Sequence, residues 1–241
     1  MSAIGGSTAM QGAGTTEPAP PVFTGDFEVH LTVRDDGDRA GAQRVAGYAA
    51  ARGLKCVHIV LERGEVPSQP MVTMRGSGTY DRIRAQATAE ADGLRAAGLD
   101  VVRTKIEATP WSAGVPRTDE EAARLGPHYY FEHHLKLLLE RSAPLAPLLS
   151  LVEGHGAHLS RNARRVRADG RLERFVTQRC RMAGIRTAGQ RLDELAGRLS
   201  VDGYEIASTE REFVVHDGNE ALDTGWLDAP YAAAAPPTHP H

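Results

Sequence analysis

Cysteine is scarce in this chain: Cys56 and Cys180 are the only two in 241 residues. Two thiols cannot build a disulfide framework or a zinc ribbon, and both read as small buried hydrophobes. Aromatics make up 5% of the sequence, which leaves little for stacking nucleic-acid bases. No apolar run approaches the ~20 residues that span a bilayer. The first residues lack a basic segment followed by an apolar one, so no secretory signal is read there and the cytoplasm is the expected location. Neither sign of charge dominates. A net charge of -3 gives no global pull toward nucleic acid or an acidic membrane. What remains, with 41% apolar and 24% charged residues, is a globular protein of one large domain or two small ones.

The chain repeats itself. Phe27-Glu28-Val29-His30-Leu31 returns as Phe131-Glu132-His133-His134-Leu135, 104 positions later. Met71-Val72-Thr73-Met74-Arg75 returns as Phe175-Val176-Thr177-Gln178-Arg179 at the same offset. Two matches at one spacing point to an internal duplication.

Periodicity gives the elements of each half. Phe27 to Val33 alternates apolar and polar residues, as a half-buried strand does. Arg39 to Arg52 is an Ala-rich helix closed by Gly53. Lys55 to Glu62 and Met71 to Arg75 are strands joined by a turn. Gly76-Ser77-Gly78-Thr79 reads as a loop before a helix from Tyr80 to Ala97, either a phosphate cradle or a turn with an N-cap. Leu99 to Glu107 is the closing strand. The second half offers strands at Tyr129–Leu138, His158–Val166, Leu172–Cys180 and Tyr204–Val215. Its helices fall at Leu145–Val152 and Gly189–Leu199, and Asp169-Gly170 turns the hairpin.

The expected fold is α+β: a tandem duplication of a ferredoxin-like βαββαβ unit, with helices on one face of each sheet. The expected boundaries are a disordered leader at 1–22, repeats at 23–109 and 128–216, a linker at 110–127, and an extension at 217–241 that is disordered at its end.

Alternation along strands sorts the repeated residues by face. Phe27, Val29 and Leu31, like Phe131, Leu135 and Leu137, belong under the helices. Glu28, His30 and Thr32 share the other face, as do Glu132, His134 and Lys136. Thr73 pairs with Arg75, Thr177 with Arg179, Lys105 with Glu107, and Glu210 with Glu212. Arginine offers a planar fork to phosphate or carboxylate, lysine a point charge, threonine a hydroxyl. A Glu two residues from a His can orient the imidazole and raise its pKa for acid–base work. It can also be half of a metal site, with His30 and His134 as the candidate ligands and a divalent metal as the candidate cofactor. Ten arginines crowd the 31 residues from Arg161 to Arg191.

Two families share fragments of this pattern. His30-Leu31-Thr32 and His158-Leu159-Ser160 resemble the paired His-X-Thr/Ser motifs of the 2H phosphoesterases. By the repeat, however, His30 matches His134, which is followed by Leu135-Lys136, and His158 falls in another strand. No catalytic role is carried over. Glu132-His133-His134-Leu135-Lys136 is similar to the alternating Glu and Lys of the triphosphate-tunnel enzymes, with His134 where a second Glu would stand.

These residues lead to an expected enzyme, a hydrolase or transferase acting on a small phosphorylated or carboxylated substrate. Its cleft lies between the repeats, and phosphoryl or phosphodiester chemistry suits its donors best. Glu28, His30, Glu132 and His134 are the expected catalytic set. Thr32, Thr73, Arg75, Lys105, Glu107, Lys136, Thr177, Arg179 and Glu210 are expected to bind substrate. The alternative is a non-catalytic module binding a small effector or RNA through the helix-free face and the arginine-rich hairpin. Nucleic acid is the less favoured partner, and no membrane partner is expected.

Overall fold

Strand alternation decides this architecture. The computed structural model describes residues 21–35, 37, 39–165 and 167–226. Most of the expected leader (1–20) and the last part of the C-terminal extension (227–241) lie outside the described residues. Eight strands form one mixed α+β body. They are β1 (Thr24–Val33), β2 (Lys55–Leu61), β3 (Ser68–Thr79), β4 (Val101–Ala108), β5 (Tyr130–Leu139), β6 (Ala157–Asn162), β7 (Leu172–Arg181) and β8 (Glu205–Asp217). Five helices join them: α1 (Arg39–Ala51), α2 (Tyr80–Ala96), α3 (Asp119–Leu125), α4 (Leu145–Gly154) and α5 (Ile185–Val201).

Each half carries the antiparallel order of the split βαβ unit: β4-β1-β3-β2 and β8-β5-β7-β6. The sequence reading left the two sheets either side by side or facing each other across a pseudo-two-fold axis. Here β2 pairs with β6, and β4 with β8, so the two sheets close into a single barrel. Closure satisfies the edge groups that two open sheets would leave unpaired.

The apolar faces point outward. Phe27, Val29, Leu31 and Val33 pack with Val45 and Ala49 of α1 and with Ile83, Ala87 and Leu94 of α2. Leu135, Leu137 and Leu139 pack with Leu148 and Val152 of α4 and with Leu192, Leu195 and Leu199 of α5. Both hydrophobic cores therefore lie between helix and barrel wall, and the polar strand faces turn into the lumen.

One local expectation changes. Gly76-Ser77-Gly78-Thr79 is not a loop at a helix start. It extends β3, with Phe27 opposite Gly76 and Asp26 opposite Ser77. A Cβ on Gly76 would stand 2.8 Å from Ile83 Cδ1, so the missing side chain lets α2 close on the sheet. The linker holds α3, started by a capping box between Thr118 and Glu121. The described part of the extension, up to Trp226, includes a 3-10 turn at Glu220–Asp223. Gly170 takes a φ of +78°, as the turn before β7 requires. Among the described residues, no helix is long and apolar enough to cross a membrane.

Candidate functional site

The lumen holds a cavity of about 260 Å³. Strand by strand, it is lined by Glu28, His30 and Thr32 of β1, and by Arg103, Lys105 and Glu107 of β4. β5 adds Glu132, His134 and Lys136; β7 adds Phe175, Thr177 and Arg179; β8 adds Glu210 and Glu212. Eleven of the thirteen residues picked from the sequence thus face one space. Of the other two, Thr73 is buried and hydrogen-bonded to His30. Arg75 is largely exposed and ion-paired with Glu28.

Two matching sets of side chains arise from matching registers. Glu28 stands opposite Arg75 and Glu107, and His30 opposite Thr73. Glu132 stands opposite Arg179 and Glu212, and His134 opposite Thr177. In the first set, His30 Nδ1 lies 2.9 Å from Thr73 Oγ1 and Nε2 lies 3.0 Å from Glu107 Oε2. In the second, His134 Nδ1 lies 3.1 Å from Thr177 Oγ1, and Nε2 lies 3.3 Å from both Glu132 Oε1 and Glu212 Oε2. The carboxylate nearest His30 is therefore Glu107. Glu28, the partner expected from the sequence, is 3.9 Å away. Glu107 is the diagonal neighbour of His30 across β1 and β4, two residues along from Lys105 and opposite Glu28, within reach of a long side chain.

These contacts set the protonation. Burial alone would push His134 down, but Glu132 and Glu212 overcome it and push it up to about 10. His30 is raised as well, Glu107 outweighing the loss of water. Glu107 and Glu132 are held below the usual carboxylate range despite burial, by Lys105 and by Arg179 with Lys105 respectively. Glu212 moves the other way: burial and the charge of Glu107 raise it.

One end of the barrel is stopped by the segment after β8. The Asp223 carboxylate accepts from Arg103 and Arg179 at 3.0 and 2.7 Å and from Gln69 Nε2 at 3.2 Å. Asp217 takes the rest of the Arg103 fork and the Tyr130 hydroxyl. Trp226 donates its indole N–H to the Leu159 carbonyl. His158, of the His-X-Ser fragment, packs under that indole and does not line the main cavity. At the other end Lys55, Arg165 and Glu210 line the cavity and are exposed, so the mouth opens there.

Sequence reading missed Arg103, Glu212, Lys55 and Asp223 as site residues. Arg103-X-Lys105-X-Glu107 carries the alternation that could have found Arg103. Asp223 had no such signal, since it belongs to no strand. Half of the ten arginines of the arginine-rich stretch are ion-paired, Arg179 among them through Glu132 and Asp223. Arg165 and Arg167 meet Glu173, Arg171 meets Asp169 and Glu205, and Arg181 meets Glu220.

No protein-family model and no curated protein matches the chain. Solved structures overlap it loosely. The ligand-free regulatory subunit of aspartate kinase from Thermus thermophilus is 14% identical, covers 73% of this chain and 93% of its own, and gives a TM-score of 0.29. A putative monooxygenase from Fusobacterium nucleatum subsp. nucleatum is 9% identical, covers 88% of this chain and 99% of its own, and gives 0.28. At these scores neither likeness carries weight for function.

Proposed function

We propose that the chain is an enzyme that takes a small phosphorylated or carboxylated anion into the barrel lumen, and that its reaction is hydrolysis or transfer at the phosphoryl or phosphodiester centre of a phosphorylated one. One observation supports this reading: two matching Thr–His–Glu sets each turn their histidine and carboxylates to a single cavity. The His134 imidazolium supplies positive charge where a phosphoryl transition state gathers negative charge, and His30 is shifted in the same direction. Lys136 and Lys55 line the same cavity and meet the incoming anion. Glu212, the carboxyl whose pKa is raised, lies 3.3 Å from His134 Nε2 and is the group placed to give or take a proton there. We also propose that the two halves arose by duplication of one βαββαβ unit, which accounts for the matching registers.

The test follows phosphate release from a panel of phosphate monoesters, diesters and short polyphosphates. Changing both His30 and His134 to Ala should lower turnover by about 10²–10⁴-fold, the usual worth of acid–base groups, with an unchanged circular dichroism spectrum. Undiminished release from a folded double mutant would refute the assignment.

A second reading has its own support. Each histidine has both ring nitrogens engaged, and His134 keeps its proton up to about pH 10. That arrangement holds an anion firmly without moving protons, as a non-catalytic effector module would. Wild-type protein that binds the panel calorimetrically but turns over none of it selects this reading.

A further inference from the structure

The two sets differ at one central position. His30 stands opposite Lys105 across β1 and β4, whereas His134 stands opposite Glu210 across β5 and β8. Lys105 thus has no cationic counterpart in the second half. Its ammonium lies 2.6 Å from Glu107 Oε1 and 2.5 Å from Glu132 Oε1, joining a carboxylate of each half. The result is a continuous chain of contacts: Thr73, His30, Glu107, Lys105, Glu132, His134, Thr177.

Glu107, Glu132 and His134 also each bring one ligand atom within 4.8 Å of the others. Two carboxylates and an imidazole are a donor set for a divalent transition metal. The ammonium already stands at those oxygens. Its side chain is 9% exposed, and the two glutamates hold it charged well above the usual lysine range, against the pull of burial. His134 is equally committed. Its Nε2 lies 3.3 Å from both Glu132 and Glu212, and its Nδ1 lies 3.1 Å from Thr177 Oγ1. Neither Glu107 oxygen accepts a well-aligned hydrogen bond. Its contacts with Lys105 and His30 are charge contacts, which hold a cation without fixing its identity.

We propose that Lys105 is the resident cation of the lumen: it occupies the position a divalent metal would take, and the site works without one. Lys105 is then a positioning residue. It fixes Glu107 and Glu132, and through them the two histidines. The inference deepens the proposed reading, but metal occupancy can be measured whether or not turnover is found.

Cobalt(II) is the probe, because its visible absorption reports the geometry and number of its ligands. Wild-type protein, titrated near neutral pH and desalted, should retain no cobalt that Glu132→Gln removes. Any cobalt on the terminal His239-Pro240-His241 is untouched by that substitution. Lys105→Ala should gain about one cobalt per chain, lost again when Glu107→Gln or His134→Gln is added. Lys105→Ala leaves two buried carboxylates without their cation, so it should be unstable alone and rescued by cobalt; that rescue reads the same site. Phosphate release by wild type, where found, should survive chelator. Wild-type cobalt that Glu132→Gln removes would overturn the proposal. So would a folded Lys105→Ala that binds no more cobalt than wild type. If that variant stays unfolded even with cobalt, the wild-type titration decides alone.

Discussion

His134 and His133 are sequence neighbours with opposite fates. His134 faces the lumen acids and is pushed up to about 10. His133 faces the helix side against Gln178 and is pushed down to about 4, by burial first. A raised pKa stabilises the fold fully below the unfolded value of about 6.5, and that stability is lost as pH rises. Wild-type stability should therefore fall between about pH 6.5 and 10, and His134→Gln should flatten that decline. Urea midpoints across this range measure it, and parallel profiles for the two proteins would count against the lumen pairing. His133 gives the reverse sign, losing its contribution as pH falls from about 6.5 toward 4. Strand alternation already separated these two residues in the sequence. It could not show that Glu107 would outdo Glu28 as the partner of His30, since that choice is made between strands. Nor could it supply Asp223, which reaches Arg103 and Arg179 from outside any strand.

Elements were legible nearly to their ends, because caps, glycines and alternation are local signals. The exception was the tip of β3, where glycines that mimic a loop serve close packing by α2. Helix-facing and lumen-facing positions on one strand should respond differently to truncation. Leu135→Ala removes a fully buried side chain from the second core and should cost about 2–5 kcal/mol. Lumen-facing Thr32→Ala should cost much less; equal losses in urea unfolding would mean the lumen is packed like a core. The stopper at the barrel end depends on Asp223. Replacing it with Ala leaves Arg103 and Arg179 buried with a partner missing, at a cost of about 3–5 kcal/mol. A double-mutant cycle with Arg103→Ala should be strongly non-additive, and simple additivity would mean that the contact contributes nothing specific.

Barrel closure was the least legible feature of the whole molecule. The β2–β6 seam pairs Ile59, Val60 and Leu61 with Asn162, Arg161 and Ser160, and is extended by backbone hydrogen bonds from Glu62 to Leu159 and from Ala163 to His58; nothing in those stretches announces the pairing. A short seam is also where local opening is easiest. Amide hydrogens along it should exchange faster than those of β1, β3, β5 and β7, and uniform protection around the barrel would contradict this. Linking both halves in one chain has a further consequence for Lys105 and Glu210. Two separate identical subunits closing the same barrel would have to place one residue type opposite both histidines. Two lysines would double the central positive charge; two glutamates would leave Glu107 and Glu132 with no cation between them. A single polypeptide escapes that stoichiometric constraint. It can make the two walls chemically unlike while keeping their backbones alike, so a lumen of near-symmetric shape acquires a direction.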